Sequence, residues 1–106
     1  MAALHVTKDN FQSEILNSNV PVLVDFSASW CGPCRHMAPV VDELSEEMAG
    51  KAKVAKLDVD ECNDIARKYG VMSVPTFMVF KNGEVVAKNM GAMPKQRLST
   101  MLDKAL

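Results

Sequence analysis

The chain reads as an α/β fold: a central mixed five-stranded sheet flanked by four helices, in the order βαβαβα followed by ββα. Three observations predict it. Apolar residues switch repeatedly between the twofold spacing of strands and the three-to-four spacing of helices. Residues 21–26 are almost continuously apolar, the pattern of a strand covered on both faces. Near the C-terminal end, Lys81-Asn82-Gly83 separates two β-prone runs, and Asn-Gly is the strongest short hairpin signal. Parallel crossovers therefore come first and an antiparallel hairpin last.

In order, residues 4–6 form a short strand candidate. Thr7 is placed to cap a helix over 8–17, in which Phe11 and Ile15 share a face. The apolar strand 21–26 leads through the cysteine segment into a long helix ending near Gly50. Met37, Val40, Val41, Leu44 and Met48 make its buried stripe; Asp42, Glu43, Glu46 and Glu47 face outward, and Pro39 should kink it. Residues 54–59 give a third strand. A short helix spans 63–69, with Gly70 as the residue just past its end. Strands 76–80 and 84–90 flank the hairpin turn. Pro94 opens a last helix whose Leu98, Met101, Leu102 and Ala105 share one face.

A length of 106 residues suits a single domain, 1–106, and 48% hydrophobic residues suffice for a core without disulfide staples. Net charge is −1 with both signs interspersed, which offers no footprint for nucleic acid or a membrane surface. No apolar stretch is long enough to span a bilayer, and the first residues lack a secretory pattern, so a cytoplasmic location is expected. The eight methionines mostly occupy stripe or strand positions, where flexible core filling accounts for them.

Of three cysteines, Cys31 and Cys34 lie close together while Cys62 stands apart. That is not an extracellular disulfide framework. Cys31 follows a buried strand and stands where a helix begins, beside unpaired N–H groups and the positive end of the dipole, which stabilise a thiolate. Cys31 is thus the expected nucleophile, and Cys34, one turn further in, can attack the mixed disulfide that Cys31 forms. Pro33 fits a first helical turn, and Gly32 lets a substrate backbone come close. The competing zinc reading needs a second ligand pair, whereas Cys62, His5 and His36 are scattered. Asp25, a carboxylate in an apolar strand, should have its pKa raised by desolvation; it is either a proton-transfer group or a buried structural acid. Burial is the simplest role for Cys62, whose neighbouring carboxylates oppose a thiolate. His36 reads as a solvated helix residue that could tune the pair.

The run Val24-Asp-Phe-Ser-Ala-Ser-Trp-Cys-Gly-Pro-Cys34 resembles the active-site segment of thioredoxins, and the likeness extends through Val74-Pro-Thr76, Phe80-Lys-Asn-Gly83 and Gly91-Ala92. Ser27 departs from it, standing where many bacterial members carry a second Trp. The resemblance implies the thioredoxin fold and a general protein-disulfide reductase, re-reduced by an NADPH-dependent thioredoxin reductase and holding no cofactor of its own. It implies that Asp25 accepts the Cys34 proton with Lys56 nearby. It also implies a cis peptide before Pro75 and an apolar docking patch of Trp30, Gly32, Pro33, Met72, Val74, Gly91 and Ala92. Disulfide-containing client proteins are the implied partners of a monomer, with a regulatory oxidation role for Cys62 as a further option. Two rivals share these residues: an oxidase or isomerase, against which Gly32-Pro33 argues because such relatives usually carry His there, and a redox-gated binding module.

Overall fold

A computed structural model describes residues 2–106. Its elements are β1 (Leu4–His5), a π-helical segment numbered α1 (Gln12–Leu16), β2 (Val22–Ser27), α2 (Gly32–Glu47), β3 (Lys53–Asp58), α3 (Asn63–Lys68), β4 (Thr76–Lys81), β5 (Glu84–Met90) and α4 (Lys95–Asp103). The sheet order is β1-β3-β2-β4-β5. β1 and β2 run parallel to β3, while β4 is antiparallel to both β2 and β5.

Side-chain alternation divides β2 between two cores. Val22, Val24 and Phe26 pack with Phe11, Ile15 and Ala66 on the face covered by α1 and α3. Leu23 points the other way, joining Val41 and Leu44 of α2 and Leu98 and Leu102 of α4. Asp25 shares that second parity, so β2 aims one carboxylate at the underside of α2. Lys95 bridges Glu43 and Glu47, tying α4 to α2. The hairpin forms as its residues demand, with Asn82 at φ 54° and Gly83 at φ 81°.

Two readings differ from the structure. The first helix is a turn followed by the π segment, in which the Asn17 N–H reaches Gln12 O at 2.9 Å. Apolar spacing identifies the buried face, and Phe11 and Ile15 are both buried, but it does not dictate which carbonyl each N–H takes. Thr7 still caps the turn that leads into it: its Oγ1 accepts from Asn10 N–H, and Asn10 Oδ1 accepts from Thr7 N–H. Asp42 does not face outward into solvent, because it accepts from Ala3 N–H and pairs with Lys56 at 3.0 Å. Most of the described methionines fill the core as expected, while Met72 and Met90 are exposed. Among the described residues, no helix is long and apolar enough to cross a membrane.

Candidate active site

The site lies at the C-terminal end of β2, where the chain turns into α2. Cys31 is the N-cap of α2, in extended conformation, and its Sγ accepts a hydrogen bond from Cys34 N–H at 3.2 Å. A sulfur therefore takes the place of the usual capping oxygen and receives one of the helix's otherwise unpaired donors. The two cysteines are joined as a disulfide, with Cα atoms 5.2 Å apart. Both are largely buried and pack with Ala28. Across from them, the Val74–Pro75 peptide bond is cis, and the Val74 carbonyl oxygen lies 3.8 Å from Cys31 Sγ. The Pro75 carbonyl accepts from Gly91 N–H, drawing the end of β5 to the same rim.

Behind Cys34 is a cavity of about 230 Å³, lined by His5, Asp25, Ser27, Asp58, Lys56 and Cys34 among others. Asp25 is 2% exposed, and its Oδ1 finds no hydrogen-bond partner among the described groups. Burial is the chief reason its carboxyl is pushed up to about 7; the Lys56 ammonium opposes that rise and the Asp42 carboxylate adds to it. Register explains the cluster: His5 pairs with Lys56 and Lys56 with Asp25, so three ionisable side chains form a row across β1, β3 and β2.

Residues 2–104 match the thioredoxin family. The chain belongs to the thioredoxin family. It is 52% identical over 105 residues to thioredoxin 1 of Nostoc sp., covering 99% of this chain and 98% of that one. Thioredoxin of Pyropia yezoensis is 49% identical, over 98% of this chain and 97% of its own. Thioredoxin of Haemophilus influenzae is 46% identical, over 95% and 94%. With the Cys31–Cys34 pair on a thioredoxin fold, the protein is a thiol–disulfide oxidoreductase with the family's disulfide-reductase role.

The thioredoxin fold gathers most of the residues singled out by sequence. Trp30 is 67% exposed, and its indole N–H donates to Asp60 Oδ2 at 2.9 Å. With Val59, Val71, Met72, Ser73 and Val74 it lines a cleft of about 120 Å³. Gly91 and Ala92 follow β5 at the Pro75 contact. At Gly32, an added Cβ would meet nothing nearer than the Arg35 guanidinium at 4.0 Å. Lys56 reaches the acid through the field, while its direct partner is Asp42. His36 is exposed on α2.

Cys62 lies apart, in the core under α1 and α3. It is fully buried with its Sγ 3.9 Å from Val6 O. Burial, then the Glu61 carboxylate, pushes its thiol up. Its side chain offers no surface to an oxidant in solution.

Sequence reasoning missed His5 and Asp58 in the cavity wall, the Asp42–Lys56 pair and the Asp60 anchor on Trp30. His5 could have been found, since a strand of matching parity beside β3 must place it next to Lys56.

Proposed function

We propose that the protein reduces disulfides in other proteins through a two-step exchange. The Cys31 thiolate attacks one sulfur of a client disulfide and expels the other as a thiolate. Cys34 then gives its proton to the Asp25 carboxylate, and its sulfur attacks Cys31 Sγ. The second client thiolate leaves, and the Cys31–Cys34 disulfide carries the two electrons' worth of oxidation. A thioredoxin reductase drawing on NADPH returns those electrons, so no bound cofactor is required of this chain.

The observation that carries this reading is the capping geometry, in which the Cys34 N–H already points at Cys31 Sγ. A thiolate there would gain a charge-assisted hydrogen bond and the helix dipole. Asp25 suits proton transfer because a carboxyl near 7 can both take and return a proton at neutral pH. The cavity it shares with Cys34 is roomy and polar enough to hold a bridging water. The Lys56 ammonium favours the ionised form of Asp25 and so opposes the rise that burial causes.

Clients dock on the rim: Trp30, Gly32, Pro33, Met72, Val74, Pro75, Gly91 and Ala92. The Val74 backbone would pair with an extended client strand. Nothing within the chain demands glycine at position 32, which fits a side chain kept short for an incoming backbone. One reactive pair and one buried thiol suit a reducing, cytoplasmic-type compartment, and the protein acts there as a monomeric domain over 1–106.

Insulin reduction tests the mechanism. Wild type should turn over with a reductase and NADPH, whereas Cys34→Ser should stall as a covalent mixed disulfide through Cys31. Turnover by Cys34→Ser at the wild-type rate would rule out Cys34 as the resolving thiol.

A further inference from the structure

Among the described residues, two methionines do not behave as core residues. Met37, Met48, Met78 and Met101 are buried, but Met72 is 96% exposed and Met90 is 65% exposed. Met72 belongs to the docking rim described above, and Met90 adjoins it through Ser73. Met72 lines the same cleft as Trp30 and Val74. Met90 ends β5, and its Sδ lies 3.9 Å from the Ser73 hydroxyl, which donates to it. The Ser73 carbonyl in turn accepts from Thr76 Oγ1 at 2.7 Å, so the 72–76 segment, the cis Pro75 bond and the tip of β5 are linked. Flexible apolar thioethers are useful on a surface that must fit many clients. Exposure also makes them the methionines an oxidant meets first.

We propose that Met72 and Met90 form an oxidation-sensitive second switch, whose conversion to sulfoxide weakens client docking without touching the cysteine chemistry. Each thioether sulfur gives up two electrons and takes one oxygen atom from a peroxide, which leaves as water. The product is polar and chiral where the rim was apolar. At Met90 the new S=O is a stronger acceptor than the thioether it replaces, and Ser73 already presents its hydroxyl there. The switch differs from the disulfide in what resets it: dithiols reopen Cys31–Cys34, while sulfoxides require a methionine sulfoxide reductase. The inference rests on the docking-face reading given above.

The test exposes the disulfide form to hydrogen peroxide, which keeps Cys31 and Cys34 paired, and then restores the dithiol with dithiothreitol. Peptide mass spectrometry should find oxygen on Met72 and Met90 well before Met37, Met48, Met78 or Met101. The KM for insulin should rise about fivefold, equivalent to ~1 kcal/mol of docking energy, with kcat little changed. Sulfoxide reductases should restore it. Met72→Leu/Met90→Leu, compared with its own untreated KM, should show no rise. An equal rise in that variant, or oxidised wild type with an unchanged KM, overturns the switch. A separate Met72→Asp variant reports on the docking face: if it too leaves KM unchanged, the docking reading fails with it, whereas a raised KM there with an unmoved oxidised KM condemns the switch alone.

Discussion

Replacing Asp25 by Asn should stabilise the protein at neutral and alkaline pH and do almost nothing in acid. The side chain is buried, one oxygen has no hydrogen-bond partner among the described groups, and its pKa is pushed up from 3.8 to about 7. Well below pH 3.8 the carboxyl is protonated in folded and unfolded chains alike and contributes no pH dependence. Between pH 4 and 7 the unfolded chain ionises while the folded chain keeps its proton, so stability falls as pH rises. Above 7 both are ionised and the penalty is constant. At 1.36 kcal/mol per pH unit, the displacement from 3.8 to about 7 amounts to about 4 kcal/mol. Asparagine has the same shape and no charge. Asp25→Asn should therefore gain up to about 4 kcal/mol over wild type at pH 8, about half of that near pH 5.5, and almost nothing from ionisation at pH 3.5. Urea unfolding at those pH values, with both proteins held in the same disulfide state, measures the difference. A gain of equal size at pH 3.5 and pH 8 would refute the reasoning, because it would come from shape or hydrogen bonding and not from a buried charge.

Three further outcomes follow from the same geometry. Lys56→Gln removes the cation that lowers the Asp25 pKa, so the pH profile of single-turnover insulin reduction should move to higher pH; an unmoved profile would show that the two do not interact. Trp30→Ala should raise the client KM about tenfold while changing stability by less than about 0.5 kcal/mol, since the ring is 67% exposed; a stable variant with wild-type KM would remove Trp30 from the docking face. Cys62 should resist iodoacetamide in the folded reduced protein and react fully in urea, and modification at the rate of a free surface thiol would contradict its burial.

Much of this was legible in the residues because strong local signals agreed with the global fold. The apolar run ending at Phe26, the Asn82-Gly83 turn and the Leu98–Leu102 stripe each named an element by period or turn chemistry, with boundaries shifted by a residue or two. Cys31 at a strand-to-helix junction locates the site from sequence alone. What stayed hidden depended on neighbours remote in sequence. Asp42 looked solvated because its helix position faces away from the stripe, yet β3 brings Lys56 against it. Asp60 gave no hint of the Trp30 indole. The cis bond at Pro75 was expected through family likeness alone, since an X–Pro pair in isolation favours trans. Met72 and Met90 have the same composition as the core methionines, and only the fold separates them.

The most direct test of a reductant is its reduction potential. Neither Gly32 nor Pro33 puts a cation between the cysteines, and Arg35 turns its guanidinium to the Ser29 carbonyl at 2.9 Å. The reduced pair therefore lacks the extra thiolate stabilisation that makes a disulfide oxidising. Equilibration of Cys31–Cys34 with glutathione buffers should give a potential below about −220 mV, more reducing than enzymes that form or shuffle disulfides. A value above about −180 mV, in the range of enzymes that form or shuffle disulfides, would contradict the assignment.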